Sequence, residues 1–327
     1  MKYSKIIRQD FQSDVWLYEI LVYPREPYDF NESALIFTGG DPVIRTFDGN
    51  ELVLTVSVQD IPVHLKIRSS GSVSSPSLSL TITSISSISS EVLSQIEDLI
   101  KNILSLDDNL TLMYDEFKED RELMTLFNNC YGLKSPKTPT VFEALVDSII
   151  EQQISLSVAY QLEHRLIKET GSSLTLDNEI YYCYPTRQQL ANTSIEVFRK
   201  CGLTQRKSEY IRDVSNLIAS GKLDLESMQD IPETEKIIEK LCSIRGIGRW
   251  TAELTMIRGF HRPDAFPAAD IALRRMIGNR FFNGKKISEQ EARTFAENWG
   301  SWKGLISFYL EVSEKKENLK KRSNITQ

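Results

Sequence analysis

The first third of the chain carries short apolar runs with the length and spacing typical of β-strands. Four runs, rich in aliphatic and β-branched residues and separated by Gly, Asp, Asn and Pro, lie at 34–37, 52–58, 63–67 and 78–82. In the last run, Leu78, Leu80 and Ile82 alternate with Ser and Thr. Because successive side chains of a strand point to opposite faces, this alternation predicts strands with one buried face.

Helical spacing replaces the alternation before residue 100 and continues along the chain. Ser89 or Ser90 is a suitable N-cap for the first helical run, and Thr140 precedes a later one in the same way. Further helical runs lie at 155–170, 187–200, 206–220, 233–243, 249–260, 270–280, 288–298 and 302–315. The pattern predicts an α+β fold, with a small antiparallel β-sheet domain over 1–110 and a helical region over 111–327.

The composition is that of an ordinary soluble globular protein. The 327 residues are 41% hydrophobic and 26% charged, which excludes wholesale disorder and a collagen-like repeat. No apolar stretch approaches the roughly 18 residues of a membrane helix, and residues 1–14 lack the apolar core of a signal peptide. The four cysteines form no CxxC pair, which excludes zinc-ribbon and cysteine-ligated iron–sulfur sites. We therefore expect a cytoplasmic protein without membrane association.

Charge is unevenly distributed along the chain. The net charge is −6, from 39 Lys+Arg and 45 Asp+Glu. Residues 1–119 hold 9 basic and 18 acidic residues, whereas residues 241–286 hold 9 basic and 3 acidic residues. A local basic surface can bind phosphates while the rest of the molecule repels them. The C-terminal lysine-rich run from Lys315 to Arg322 is interpreted as a solvated, frayed end.

The most informative segment is a Gly-Ile-Gly turn between two predicted helices at 233–260. Its sequence is Leu241-Cys-Ser-Ile-Arg-Gly-Ile-Gly-Arg-Trp-Thr-Ala252. Glycine permits positive φ and close approach, so the N–H groups of Gly246 and Gly248 can face an anion together with the start of the second helix. Arg245 and Arg249 place positive charge on either side. Taken alone, the segment also fits a structural helical hairpin with glycine caps.

A carboxylate follows this hairpin after another short loop. The segment 264–270 ends in Pro267-Ala-Ala-Asp270 and places Asp270 at the N-cap of the next predicted helix. Capping alone accounts for an aspartate there. Capping also fixes the carboxylate and keeps it ionised, which suits a catalytic role. Asp270 is therefore the candidate catalytic residue.

Four blocks of the sequence occur together in one family of enzymes. They are Ile244-Arg-Gly-Ile-Gly-Arg-Trp-Thr-Ala252 with Pro267-Ala-Ala-Asp270, the helix at 142–155, the segment 201–210, and Trp299-Gly-Ser-Trp302. In this combination the chain resembles the helix-hairpin-helix DNA glycosylase superfamily, and within it the 3-methyladenine DNA glycosylase II branch. The resemblance is strong over 140–310 and weak over 1–110. It implies that the helical region is all-helical and has two lobes with a cleft between them.

The resemblance also implies roles for single residues. Asp270 corresponds to the family's catalytic aspartate, which stabilises positive charge on the sugar and orients or deprotonates the attacking water. The residues that it places in the base pocket are Trp250, Leu254, Ile271, Tyr184 and Trp302. Those that it places at the DNA are Gly246, Gly248, Arg245, Arg249, Thr251, Gln152 and Gln153, the last two at the turn that fills the gap left by the extruded base. No cofactor and no catalytic metal is expected.

Trp250 bears on the type of reaction. As an ordinary residue it would pack between helices. By the resemblance it lies beside the base pocket, where an indole can stack on a cationic base. Relatives that also cut the DNA strand carry a lysine at this position for Schiff-base chemistry, which tryptophan cannot perform. The resemblance therefore favours a monofunctional enzyme that leaves an abasic site.

The aromatic lining of the pocket is reduced relative to this branch. Leu254, Ile271 and Glu311 stand where some relatives carry Tyr or Trp. The aromatic residues that remain to compensate are Tyr184, Phe308 and Tyr309. The breadth of base recognition is therefore left open by the sequence.

The resemblance predicts a monofunctional DNA N-glycosylase that excises alkylated purines of the 3-methyladenine type from damaged duplex DNA, in base excision repair. We expect a monomer, at the nucleoid of a bacterium or in the nucleus of a eukaryote. Two alternatives remain: a non-catalytic helix-hairpin-helix DNA-binding protein, and a bifunctional glycosylase/lyase for oxidised bases. Asp270 argues against the first alternative and Trp250 against the second.

Overall fold

A six-stranded antiparallel sheet forms the N-terminal part of the computed structural model, which describes residues 5–12 and 14–325. Its strands are β1 (Lys5–Gln12), β2 (Val15–Val22), β3 (Arg45–Phe47), β4 (Glu51–Val58), β5 (Ile61–Ser69) and β6 (Leu78–Ser84). They lie in the spatial order β1-β2-β6-β5-β4-β3. In β6, Leu78, Leu80 and Ile82 are buried and the intervening residues are half-buried, so the alternation predicted this strand correctly.

The predicted strand at 34–37 is wrong. These residues end α1 (Phe30–Ala34) and form a 3₁₀ turn at Leu35–Phe37. Asp29 Oδ1 accepts the backbone N–H of Glu32 at 3.0 Å and so caps the start of α1. A four-residue apolar run is compatible with a short helix as well as with a strand, and here the N-cap at Asp29 favours the helix. Strands β1, β2 and β3 are not among the predicted strands.

Helix α2 (Ser90–Ile103) packs against the sheet. Ser89 caps it as predicted, because Ser89 Oγ accepts the N–H of Val92 at 3.3 Å. The apolar face of α2 and the sheet share one core, which includes Ile96, Ile100, Leu52, Leu65 and Leu80. The N-terminal part therefore has a hydrophobic core of its own.

The rest of the described chain is mainly helical. Its helices are α3 (Leu110–Glu116), α4 (Arg121–Asn129), α5 (Val141–Glu151), α6 (Leu156–Thr170), α7 (Arg187–Asn192), α8 (Ile195–Lys200), α9 (Gln205–Ala219), α10 (Leu225–Met228), α11 (Thr234–Cys242), α12 (Arg249–Arg258), α13 (Ile271–Phe281), α14 (Glu289–Ala296) and α15 (Lys303–Ile325), with a 3₁₀ helix at Glu297–Trp302. A hairpin of β7 (Ser173–Leu176) and β8 (Glu179–Tyr182) follows α6, so the region is not all-helical as the resemblance implies. Within the described ranges, no helix combines the length and apolar character needed to cross a bilayer.

Two separate apolar clusters give the helical region its two lobes. One draws on α5 to α12 and includes Leu145, Ile149, Ile211 and Leu241. The other combines α3 and α4 with α13 to α15 and includes Phe127, Ile277 and Tyr309. Because α12 belongs to the first lobe and α13 to the second, the chain crosses between the lobes over 259–270. Asp270 lies at the end of this crossing. The division into domains at 1–110 and 111–327 stays a prediction.

Buried charged side chains join the sheet to the helical region. Arg45 of β3 lies 3.0 Å from Glu143 Oε1 of α5 and 2.8 Å from Glu163 Oε1 of α6. Lys134 is fully buried and donates from Nζ to two backbone carbonyls at 2.8 and 2.6 Å. Burial lowers the pKa of Lys134 to about 8. The Arg45 pairs connect β3 of the sheet to α5 and α6, and Lys134 connects the chain before α5 to the segments that follow β2 and α2.

The first lysines of the C-terminal run are anchored to α1 and its 3₁₀ turn. Lys315 Nζ donates to the carbonyl of Leu35 at 2.9 Å, and Lys316 Nζ lies 2.6 Å from Glu32 Oε1. The chain is helical as far as Ile325. The interpretation of this run as a solvated, frayed end is therefore wrong for these two lysines, because both ammonium groups are bound by partners distant in sequence.

Candidate active site

The turn between α11 and α12 has the conformation that its glycines predict. Gly246 has a φ of +91°, and a Cβ at this position would lie 2.3 Å from the ring of Tyr210. Only glycine fits both the backbone and the packing. Gly248 has a φ of −92° and open space around its Cα. The turn is thus packed on one side at Gly246 and open on the other at Gly248.

The first turn of α12 presents unused backbone donors beside this open side. Gly248 is the N-cap and has no side chain to accept a hydrogen bond. In the described chain, the N–H groups of Gly248, Arg249, Trp250 and Thr251 find no acceptor. A helix N-terminus with free N–H groups and the positive end of the helix dipole is suited to bind a phosphate.

Both arginines of the turn are paired with carboxylates. Arg245 Nη2 lies 2.9 Å from Glu209 Oε2. Arg249 donates to the two carboxylate oxygens of Glu235 at 2.6 and 2.7 Å and to Glu253 Oε1 at 2.9 Å. These pairs compensate much of the basic charge that the sequence concentrates here. The backbone N–H groups are therefore the main feature of the turn that attracts an anion.

The two glutamines predicted to probe the duplex follow α5 and differ in their surroundings. Gln152 Nε2 donates to the carbonyl of Gly246 at 2.9 Å and to Thr251 Oγ1 at 3.0 Å. Thr251 is 2% exposed. The hydrogen bond between Gln152 and Thr251 therefore connects the hairpin to the turn that follows α5. This turn, which contains Gln152 and Gln153, is called the probing turn below. Gln153 is exposed and has a φ of +58°, which places it at the tip of that turn.

Asp270 is held by two hydrogen bonds at the start of α13. Its Oδ1 accepts the backbone N–H of Leu273 at 2.9 Å, which makes Asp270 the N-cap as predicted. Its Oδ2 accepts the indole N–H of Trp250 at 3.2 Å. The carboxylate is half-buried, and within the described ranges it forms no ion pair. An accessible carboxylate in a fixed orientation can stabilise positive charge on a bound group.

Two of the predicted pocket residues adjoin Asp270, and a third lies on the same helix as Trp250. Trp250 contacts it directly, and Leu254 is one turn further along the same face of α12 and 8% exposed. Ile271 follows Asp270 in sequence and is 77% exposed. Trp250 therefore lies beside the carboxylate, whereas the assignment of Leu254 and Ile271 to a base pocket stays a prediction.

Tyr184 and Trp302 are directed to other partners. Tyr184 donates from its hydroxyl to Asp147 Oδ1 at 2.7 Å and lines a cavity of about 390 Å³ between the sheet and α5. Trp302 Nε1 donates to Glu116 Oε2 at 2.8 Å. Tyr309 is fully buried and donates to a backbone carbonyl at 2.7 Å. These contacts give no support to a role of the three aromatic residues in the pocket beside Asp270.

A polar group of side chains near Asp270 is missed by the sequence analysis. Arg258 Nη1 lies 2.6 Å from Glu151 Oε1. Burial raises the pKa of Tyr160 and of Glu311, Arg258 opposes both rises, and the Asp270 carboxylate adds to the rise at Glu311. Arg258 lies four residues after Leu254 on α12, and this spacing could have indicated it from the sequence. Its partners belong to α5, α6 and α15, which no local pattern brings together.

We find no chemical role for His64, His261 or a metal ion at this site in the described part of the chain. Burial lowers the pKa of His64 to about 4 and that of His261 to about 3, so both are neutral at neutral pH. In the described part of the chain, no three His, Cys, Asp or Glu side chains are grouped so as to hold a metal ion.

Comparison with known sequences identifies the family. The sequence model described as HhH-GPD superfamily base excision DNA repair protein matches residues 146–301. The DNA-3-methyladenine glycosylase of Bacillus subtilis (strain 168) is 32% identical over 219 residues, which cover 65% of this chain and 71% of that protein. The chain belongs to the HhH-GPD superfamily of base excision DNA repair proteins. The resemblance inferred from the four sequence blocks is confirmed.

Other HhH-GPD proteins share the same fold. DNA-3-methyladenine glycosylase 2 of Escherichia coli (strain K12) is 27% identical over 183 residues, 56% of this chain and 61% of that protein. The solved 3-methyladenine DNA-glycosylase from Archaeoglobus fulgidus has a TM-score of 0.77 at 23% identity and covers 89% of this chain and 96% of that chain. The 8-oxoguanine glycosylase/lyase of Clostridium acetobutylicum, solved with dsDNA, has a TM-score of 0.71 at 18% identity over 96% and 99% of the two chains. Both structures confirm the predicted α+β fold class.

Proposed function

We propose that this HhH-GPD protein is a monofunctional DNA N-glycosylase that releases alkylated purines of the 3-methyladenine type from duplex DNA. The observation that carries the proposal is the Asp270 carboxylate, oriented by Leu273 N–H and the Trp250 indole and without an ion pair in the described ranges. The relatives named DNA-3-methyladenine glycosylase support the substrate class. The product is an abasic site in the DNA.

The hairpin and the probing turn would present the damaged nucleotide to Asp270. Extrusion of a base costs a few kcal/mol, and damage that weakens pairing lowers this cost. The free N–H groups at the start of α12 bind the backbone phosphate, which positions the DNA without reading its sequence. Gln153, exposed at the tip of its turn, is placed to enter the gap left in the stack.

Asp270 supplies the chemistry once the base is extruded. As the N-glycosidic bond lengthens, positive charge develops on the deoxyribose, and the fixed carboxylate stabilises it. Water then adds to C1′, and Asp270 accepts its proton. An alkylated purine is already cationic, so it leaves as a neutral base without first being protonated. Since Trp250 cannot form a Schiff base with the sugar, the reaction ends at the abasic site.

We further propose that the protein acts as a monomer on damaged double-stranded DNA. The hairpin, the turn after α5, Asp270 and the adjacent Trp250 all come from one chain. The reaction would take place wherever the genome lies, at the bacterial nucleoid or in the nucleus.

The proposal is tested by Asp270→Asn on duplexes that carry 7-methylguanine or 3-methyladenine, with free base as the readout. Asparagine retains an oxygen for the N-cap, so the variant should fold and bind duplex with unchanged affinity. Base release should fall by at least about 100-fold, the usual cost of removing one electrostatic group from a transition state. Asp264→Asn, six residues earlier in the same loop, is the matched control and should release base like the wild type.

Two results would contradict the proposal. Wild-type rates of base release in Asp270→Asn would exclude the catalytic role of that carboxylate. A covalent protein–DNA adduct trapped by borohydride with the wild type would exclude the monofunctional reaction.

A further inference from the structure

Lys207 of α9 is a buried lysine whose ammonium group has no carboxylate partner in the described part of the chain. Its side chain leaves the residue only 8% exposed, and Nζ donates to the backbone carbonyl of Ile150 at 2.7 Å. Burial lowers the pKa of Lys207. A buried cation without an opposite charge beside it is costly, so its presence calls for a role.

The carbonyl that Lys207 binds belongs to the C-terminal end of α5. The last carbonyls of a helix have no partner within the helix, and the helix dipole places negative charge there, so an ammonium group stabilises this end. Lys207 itself lies in the first turn of α9, where Thr204 Oγ1 accepts its backbone N–H at 3.3 Å. A cation is disfavoured in the first turn of its own helix. The ammonium group of Lys207 therefore stabilises α5 rather than α9.

Three consecutive residues at the end of α5, 150–152, are each bound to a different part of the first lobe. The next residue, Gln153, is exposed and has a φ of +58°. A residue other than glycine keeps such a φ only where the surrounding contacts enforce it. The contacts that supply this constraint are Lys207 Nζ to Ile150 O at 2.7 Å, Arg258 Nη1 to Glu151 Oε1 at 2.6 Å, and Gln152 Nε2 to Gly246 O at 2.9 Å.

The contact of Lys207 differs from the other two because it acts on the main chain of α5. Glu151 and Gln152 are held through their side chains, whose torsions can absorb a shift of the backbone. The ammonium group of Lys207 instead binds a backbone carbonyl three residues before Gln153. The direction in which the backbone leaves α5 and enters the probing turn therefore depends most directly on Lys207.

We propose that Lys207 is a positioning residue of this site, whose ammonium group holds the end of α5 so that Gln153 is presented for insertion into the duplex. The inference rests on the glycosylase function proposed above, in which Gln153 fills the gap left by the extruded base. Lys207 acts through Gln153 rather than on the DNA, because its ammonium group is buried against Ile150. A turn that is held in advance needs less ordering when it meets the duplex.

The test measures base extrusion and base release in Lys207→Met, which keeps an unbranched side chain and removes the donor. The fluorescence of 2-aminopurine next to a 7-methylguanine reports extrusion, and single-turnover release of 7-methylguanine reports the reaction. Both should fall about 10-fold, the usual effect of losing one hydrogen bond that involves a charged group. If the methionine variant does not fold, Lys207→Gln, which is polar but too short to reach the carbonyl, carries the same expectation.

The matched control is Lys134→Met. Lys134 is likewise buried and donates from Nζ to backbone carbonyls, but these carbonyls belong to Arg25 and Leu106 in the N-terminal part. Urea denaturation gives the conditions under which each variant is folded. Under these conditions Lys134→Met should extrude and release the base like the wild type, whatever stability it has lost.

A combination with Gln153→Ala separates positioning of the turn from direct contact with DNA. If Lys207 acts through Gln153, Lys207→Met should cause no further loss of extrusion or release in the Gln153→Ala variant. A loss by the same factor with and without Gln153→Ala would show that Lys207 acts independently of Gln153, which overturns the inference.

Failure of the inference and failure of the proposed function give different results. Extrusion and release at the wild-type level in Lys207→Met, or an equal loss in Lys134→Met, exclude the positioning role and leave the glycosylase function standing. A wild type that releases no 7-methylguanine overturns both.

Discussion

The indole N–H of Trp250 lies 3.2 Å from Oδ2 of Asp270, twenty residues further along the chain. The second helix of the hairpin, α12, thus orients the carboxylate that, under the proposed function, faces the sugar. Since Asp270 Oδ1 is engaged by Leu273 N–H at 2.9 Å, both oxygens have a fixed direction. Any shift of α12 on DNA binding is therefore transmitted to the carboxylate.

The variant Trp250→Phe should separate the effect of the indole hydrogen bond on Asp270 from the effect of ring packing. Phenylalanine keeps an aromatic wall but removes the donor. A hydrogen bond to a charged group is worth about 1.5–3 kcal/mol, so base release should fall at least about 10-fold while the melting temperature changes little. Single-turnover release of 7-methylguanine measures the effect, and Trp16→Phe in β2 is the matched substitution away from the site. An unchanged rate would show that the indole N–H is not needed.

Alanine substitutions at the two hairpin glycines should have different effects on the free energy of unfolding. Gly246→Ala places a methyl group 2.3 Å from the Tyr210 ring at a φ of +91°, so it should lower the free energy of unfolding by about 2–3 kcal/mol. Gly248→Ala meets open space and should change stability by less than about 0.5 kcal/mol. Its methyl group should still weaken duplex binding, since it lies where the phosphate approaches. Urea denaturation and fluorescence anisotropy measure the two quantities, and equal stability of the variants would contradict this account.

The two neighbouring glutamines form a second matched pair. Gln152→Ala removes the bonds to Gly246 O and Thr251 Oγ1, and should lower the free energy of unfolding by about 1–2 kcal/mol. Gln153→Ala removes no such bond and should unfold like the wild type. It should instead reduce base extrusion, measured by the fluorescence of 2-aminopurine placed next to the lesion. Normal extrusion by Gln153→Ala would show that this side chain does not fill the gap.

The cluster formed by Arg45, Glu143 and Glu163 should make the free energy of unfolding depend on pH. Burial raises the pKa of Glu143 and of Glu163 to about 7, above the ordinary 4.5. Between these values the folded state holds more protons than the unfolded state. The stability from this source is complete below about pH 4.5 and lost as pH rises through about 7.

The free energy of unfolding should therefore fall from pH 5 to pH 7.5, by up to about 1.4 kcal/mol per pH unit for each group. Glu163→Gln should make the fall shallower in urea denaturation across this range. Glu226→Gln, at an exposed pair with Arg187, is the control. An identical slope in Glu163→Gln would show that this carboxyl does not titrate in the folded protein.

Local signals predicted the central parts of the site well. The hairpin glycines and the cap formed by Asp270 each depend on a few neighbouring residues, and the structure has both as predicted. The apolar run at 34–37 was assigned to the wrong type of element, because its cap lies five residues upstream at Asp29.

Contacts between segments distant in sequence could not be predicted from such local signals. The carboxylates that compensate Arg245 and Arg249 include Glu209 and Glu235, which are 36 and 14 residues away. Tyr184 is drawn to Asp147, 37 residues before it. Such partners are set by helix packing, which periodicity within one helix does not specify.

Compensated arginines at the hairpin have a consequence for how the protein searches the genome. Each phosphate neutralised by a free cation adds about 0.9 to the salt dependence of duplex binding, and Arg245 and Arg249 are largely committed to carboxylates. Under the proposed function we therefore expect visits to intact stretches of duplex to be short and to vary little with ionic strength. We then expect the time spent at one nucleotide to depend on how easily that nucleotide leaves the base stack, so that weakened pairing itself would stop the search.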